Sequence, residues 1–127
     1  MPDLPDISKS PYIQNKTESF QKRVSNLVKL HNSELKIALD DFKTTNPSVK
    51  IFRFPTAEWM DTLFSSKLLL SQLGITDITD PCSDLSTMPP TVCVNSGSYV
   101  FWDYFHTTTK ISKFFAKSVF ESFRYIK

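Results

Sequence analysis

The sequence predicts an α/β fold in which helices flank a small β layer. Residues 17–44 hold neither proline nor glycine, and their apolar side chains recur at helical intervals. A β-branched and aromatic run, Val49 to Phe54, follows at once. A second aromatic run at Tyr99 leads into an amphipathic segment that reaches the end of the chain. Helix, strand and helix in this order belong to a layered α/β arrangement rather than to a bundle.

Residues Met1 to Pro11 carry three prolines and read as an extended entry segment. From Thr17 to Thr44, Phe20, Val24, Leu27, Leu30, Leu35, Leu39 and Phe42 mark a long amphipathic helix with Thr17 as its N-cap. Asn46-Pro47 ends it, because proline cannot continue the helical hydrogen-bond ladder. "SVKIFRF" places apolar residues on both parities after Val49, which predicts a strand covered on both faces and stopped by Pro55. Thr56 is expected to cap a short helix running through Trp59 and Leu63.

Between Ser71 and Ser98 the composition turns to Gly, Pro, Ser, Thr, Asp and Asn, and the expectation is a long loop. A structureless loop of that length is unusual inside a compact domain and tends to be functional. It delivers the chain to Tyr99. The last helix is expected over Thr108 to Ile126, with Ile111, Phe114, Phe115, Val119 and Ile126 on one side. Lys110, Lys113, Lys117, Arg124 and Lys127 fall on the other and read as a solvated face.

The 127 residues suffice for one domain, and 40% hydrophobic and 13% aromatic content argues for a packed core rather than disorder. A formal charge of +2 lacks the concentrated basic excess of a nucleic-acid binder, so no nucleic acid is expected as a partner. No apolar run approaches the ~20 residues of a transmembrane segment. The first residues show no basic start followed by an apolar stretch, so no secretory signal is read there. Two features nevertheless lean toward the secretory pathway: the glycosylation sequon Asn15-Lys16-Thr17, and Cys82 and Cys93 as an even pair across a turn-rich segment. The spacing allows a disulfide, and it equally allows two buried thiols.

Asp103 and His106 are the candidate chemistry. A hydrolytic His needs a nucleophile on one ring nitrogen and an acceptor on the other that fixes the tautomer and stabilises the imidazolium. An Asp three residues earlier, on a turn leading into a helix, can place its carboxylate beside the ring. His31, inside the long helix, has no acid at that offset. Cys82, Cys93, Asp103 and His106 are ligand types that zinc accepts, but the cysteine spacing is not that of a zinc knuckle and a second suitable His is lacking, so neither a metal nor a cofactor is expected.

"SYVFWDYFHTTTKISKFFA" resembles the last signature block of the GDSL/SGNH esterases and lipases, where an aromatic strand end precedes Asp-x-x-His-Pro-Thr and an amphipathic helix. "LPDISKSPYIQN" and "LVKLHNSELKIAL" resemble that family's segment after its fourth strand and the helix that follows. "ITDITDPC" with "VCVNSGSYVFWD" is similar to the cysteine-bracketed loop of its plant, fungal and haemolysin-like branches. The resemblance implies that residues 1–127 form a partial three-layer α/β/α, flavodoxin-like domain, its C-terminal half, with parallel strands flanked by helices. It implies that Asp103 is the acid and His106 the general base of a Ser-His-Asp triad, and that the protein belongs to a secretory route. Thr107 stands where the family has proline, so Thr107 or Thr108 is expected to cap the helix instead.

The family's Gly-Asp-Ser nucleophile block, its oxyanion glycine and its Gly-x-Asn-Asp segment have no counterpart here. Gly74 and Gly97 are the chain's two glycines, and Ser98 lies beside a strand without a donor cluster. The expectation is a carboxylic-ester hydrolase segment that is inactive by itself. Completed by an N-terminal half, it would act on a lipid or acetylated-carbohydrate ester; a complementing chain or self-association would cover its apolar faces. The alternative expectation is a non-catalytic remnant that binds or regulates.

Overall fold

The computed structural model describes residues 1–124; Ile126 and Lys127, which the sequence assigns to the two faces of the last helix, lie outside the described residues. The entry segment is more folded than its prolines predict. Asp6 accepts the Ser8 N–H and caps a 3-10 turn, Ile7–Lys9. Pro11 then opens α1, Pro11–Gln14, at a position where its missing N–H has no helical partner to lose.

Helix α2 spans Glu18–Thr45, and the Thr17 hydroxyl accepts the Phe20 N–H as its N-cap. Asn32 faces inward from α2 and exchanges two hydrogen bonds with the backbone of Leu4, at 2.8 and 3.0 Å, which straps the entry segment across the helix. This buried amide is satisfied by backbone rather than by packing.

Val49 to Phe54 does not form the expected strand. Among the described residues the run gains a single parallel bridge, Pro2 with Phe54. Asp3 N–H donates to Phe54 O at 3.1 Å and Phe54 N–H to Met1 O at 2.9 Å. Strand propensity needs a partner ladder to be realised, and among the described residues only 1–3 bond alongside.

Thr56 is not a cap either; it is the first residue of α3, Thr56–Ser65. Its N–H donates at 2.6 Å to the buried carboxylate of Asp3, 53 residues away in sequence, which also pairs with Arg53. Helix α4, Lys67–Gln72, follows, with Ser66 accepting the Leu69 N–H. Gly74 adopts a positive φ of 64°, which lets the chain leave α4 sharply toward Ile75.

The expected long loop is also corrected. Its start carries strand β1, Asp77–Pro81, which pairs in parallel with β4, Tyr99–Phe101, through Asp77 opposite Tyr99 and Pro81 opposite Phe101. Between them β2, Ser83–Asp84, and β3, Thr91–Val92, form an antiparallel pair, and Cys82 is disulfide-bonded to Cys93 beside it. Of the residues that mimic a loop, Thr79 and Asp80 are exposed, whereas Asp77 is half-buried.

Helix α5 spans Thr109–Arg124. The core joins Leu63, Ile75, Val100, Phe101 and Ile111, with Trp59, Phe64 and Phe114 packed against it. Trp59 meets Phe115 edge-on at 5.0 Å, and Phe54 meets Phe115 at 5.4 Å. The result is a mixed α/β unit whose small parallel sheet is flanked by helices. Large apolar side chains remain exposed on α2, including Leu27 and Leu30, and on α5, where Phe120 and Phe123 project. No described helix is long and apolar enough to cross a membrane.

Candidate active site

Strand β4 runs into the core, with Val100 at 0% and Phe101 at 2% exposure. The backbone turns immediately after it and closes on itself. Trp102 N–H donates to His106 O at 2.7 Å, and Phe101 bridges Thr107 in antiparallel fashion. Inside this turn one Asp103 carboxylate oxygen accepts the N–H groups of Phe105 and His106, at 2.8 and 2.7 Å. This is the arrangement that makes Asp favourable in turns: a short acceptor that satisfies backbone donors two and three residues ahead.

The same carboxylate reaches the imidazole. His106 Nδ1 lies 2.8 Å from Asp103 Oδ2 and 3.0 Å from Oδ1. Burial raises the Asp103 pKa, but the two backbone N–H groups and the neighbouring His106 outweigh it, so the carboxyl titrates below its usual range. An ionised carboxylate only accepts, so Nδ1 carries the proton and donates to it. The lone pair of the neutral ring is thereby assigned to Nε2. The His106 side chain is 79% exposed and that of Asp103 20%, so the imidazole is accessible while the carboxylate is partly enclosed.

Both flanks of the turn are held from outside it. Cys82 N–H donates to Phe101 O at 3.0 Å and Ser83 N–H to Trp102 O at 2.7 Å, which ties the disulfide segment to the base of the turn. On the other side Tyr12 N–H donates to Tyr104 O at 3.2 Å, and the Tyr12 and Phe105 rings approach to 4.8 Å. Lys16 lies over the Tyr12 ring. This α1 buttress is not visible in the sequence, since nothing local connects Tyr12 with a turn some ninety residues later.

Neither Thr107 nor Thr108 caps α5 through its hydroxyl. The Thr108 hydroxyl donates to Tyr99 O at 2.9 Å, joining the start of the strand to the start of the helix, and the Thr107 hydroxyl pairs with Ser112. The backbone carbonyl of Thr108 accepts the Ser112 N–H and begins the helical ladder. On the first turn of α5, Lys110 donates to Leu73 O at 2.8 Å.

The remaining candidates lie apart from the pair. Asn15 is exposed at the C-terminal end of α1, next to Thr17, whose hydroxyl serves the N-cap of α2. The Ser98 hydroxyl accepts from Asn95 at the entrance of β4. Among the described residues no serine hydroxyl hydrogen-bonds His106. His31 is exposed on α2. Cys82 and Cys93 are bonded to each other and so offer no thiolate; among the described residues no three His, Cys, Asp or Glu side chains converge.

No family model matches the chain. Over 107 residues, 78% of its length, it is 25% identical to a GDSL esterase/lipase of Arabidopsis thaliana, and it spans 27% of that relative's length. The similarity supports a distant relationship to the GDSL esterases and lipases.

Proposed function

We propose that this chain supplies the acid and base of a serine carboxylic-ester hydrolase of GDSL type, with the nucleophile and oxyanion donors contributed by an N-terminal half. Asp103 holds the His106 ring through Nδ1 and stabilises the imidazolium. His106 Nε2 takes the proton of an incoming serine hydroxyl as that oxygen attacks the ester carbonyl, then returns it to the leaving alkoxide; water repeats the cycle on the acyl-enzyme. The observation that carries the reading is the 2.8 Å contact between a depressed-pKa carboxylate and the Nδ1 of an exposed histidine. The ester is a lipid or an acetylated carbohydrate.

The test joins or co-expresses the N-terminal half of a GDSL hydrolase with this chain and follows nitrophenyl acetate hydrolysis. Activity that disappears in His106→Ala is expected. Soluble assembly without His106-dependent turnover would sink the proposal.

A second reading, a non-catalytic binding or regulatory protein, is favoured by the lack of a serine in contact with His106 among the described residues. The chain alone is expected to remain unlabelled by a fluorophosphonate probe under either reading; labelling at any serine would show that a nucleophile resides in this chain.

A further inference from the structure

Helix α2 buries one face and leaves a second stripe uncovered. On the packed side Val28 and Asn32 are buried, and Val24, Leu35 and Leu39 are half-buried. Roughly 130° around the helix, at 3.6 residues per turn, runs a different set: Phe20, Arg23, Leu27, Leu30, Glu34, Ile37 and Asp41. All of them are exposed, and the apolar members stay between 44% and 62% open to solvent. A further face carries Lys22, Lys29 and Lys36 and is an ordinary solvated surface.

The intervals along the exposed stripe alternate three and four from Phe20 to Asp41 without a break. A stripe that faces a core is broader and follows the 3.6-residue period of the helix, whereas a narrow 3.5-residue repeat is the seam of one helix paired with another. The seam lies wholly inside α2, Glu18–Thr45, so the spacing is realised as helix surface.

The charges on the seam select the partner and its direction. Among the described residues neither Arg23 nor Glu34 has an ion-pair partner. In an antiparallel pair of α2 helices with its two-fold axis midway between Leu27 and Leu30, Leu27 falls opposite Leu30 of the second copy, Arg23 opposite Glu34, and Phe20 opposite Ile37. Symmetry repeats each pairing on the other side of the axis. Asp41 falls opposite Lys16, which precedes the Thr17 cap. Every layer thus joins apolar to apolar or acid to base. A parallel pair would set Arg23, Glu34 and Asp41 each against its own copy, like charge on like charge. Sliding the antiparallel register by one heptad, either way, sets a leucine against a charged side chain.

We propose that the exposed seam of α2 is a homodimerisation surface, on which a second copy of this chain docks antiparallel through Phe20, Arg23, Leu27, Leu30, Glu34 and Ile37. The apolar layers supply the attraction, and the Arg23 and Glu34 pairs fix register and direction, as charges do at helix seams. The seam is short and its ion pairs are exposed, so the dimer belongs to the weak, transient class of contacts. None of the paired positions belongs to the Asp103 turn, and the contact stands or falls apart from the hydrolase reading.

Sedimentation equilibrium of the full chain, from about 10 μM to about 1 mM, is expected to show a monomer and dimer in exchange. Glu34→Arg and Arg23→Glu each bring like charges together across the seam, and each should weaken the dimer by about tenfold or more. The double variant restores both pairs in swapped order and should return to within about threefold of the wild type. These positions are exposed, and circular dichroism verifies that each variant keeps its helices. Orientation is read by cross-linking: Phe20→Cys mixed with Ile37→Cys is expected to link more readily than either variant with itself, the native cysteines being bonded to each other. A chain that stays monomeric over the whole range overturns the proposal. So does self-association indifferent to both charge reversals, which would place the contact on another exposed face such as that of α5. A double variant that fails to recover, or Phe20→Cys linking chiefly with itself, overturns the antiparallel register.

Discussion

Asp103 binds His106 twice: its carboxylate accepts the His106 backbone N–H at 2.7 Å and lies 2.8 Å from the His106 Nδ1. Side chain and backbone of His106 are thus located by one acidic group, and the turn that presents the histidine is built by the residue that would serve it in the proposed catalysis. The two functions can be separated chemically. Building the turn requires only an oxygen acceptor, whereas serving the histidine requires a negative charge.

Asp103→Asn is therefore expected to keep the turn and lose the chemistry. The amide oxygen can still accept from Phe105 and His106, while the neutral side chain no longer stabilises the imidazolium or enforces the Nδ1-protonated tautomer. In the completed hydrolase kcat should fall by about three to four orders of magnitude, with circular dichroism unchanged. Asp103→Ala should also destabilise the chain, by about 0.5–1.5 kcal/mol, because both exposed backbone donors exchange their carboxylate acceptor for water.

Acid should release the turn. The folded-state pKa of Asp103 is depressed, with burial opposing the shift and the Phe105 and His106 donors producing it. A depressed carboxyl pKa contributes stability that is fully present above its unfolded value of about 3.9 and is lost as the pH falls through the lower folded value. The difference in stability between the wild type and Asp103→Asn should therefore shrink over that acidic window. A difference independent of pH down to full protonation would show that the charge contributes nothing to the turn.

What the sequence disclosed and what it concealed divide by range of interaction. Helix α2 was legible because its signals, Thr17, the apolar intervals and Asn46-Pro47, all lie within it. The Asp103 and His106 pair was legible for the same reason, being three residues apart on one turn. Strand β1 resembles a loop in sequence because Asp77, Thr79 and Asp80 are polar and the partner that makes them a strand is β4, some twenty residues on. Val49 to Phe54 resembles a strand in sequence because β-propensity registers a residue's fitness for a sheet and says nothing about whether a partner is present. Asp3 capping α3, and Tyr12 bracing the turn, are contacts that no window of sequence contains.

The disulfide should stabilise the region around His106 rather than the whole chain. It closes a loop of sequence separation 11, and chain-entropy arguments give about 2–3 kcal/mol for a loop of that size. Cys82 and Ser83 also donate to Phe101 and Trp102, so loosening this segment reaches the Asp103 turn directly. Cys93→Ser is expected to lower the denaturation midpoint and to speed exchange of the Trp102 and His106 amides more than those of α2. Uniform acceleration across both regions would remove the special connection to the turn.

Asp3 carries a second concentrated dependence. Its side chain is fully buried, pairs with Arg53 and accepts the first N–H of α3. Asp3→Ala would leave the guanidinium without its partner and α3 without its cap, each a recognised cause of large destabilisation. Because Arg53 keeps 20% exposure and can still find water, the expected loss is about 2–4 kcal/mol, below that for a fully enclosed pair. Arg53→Met should cost a comparable amount, since it leaves the fully buried Asp3 carboxylate without its countercharge although the Thr56 N–H bond remains. Urea denaturation of the two single variants and the double variant measures the coupling; purely additive losses would mean that the ion pair itself adds nothing and that the cap accounts for the effect.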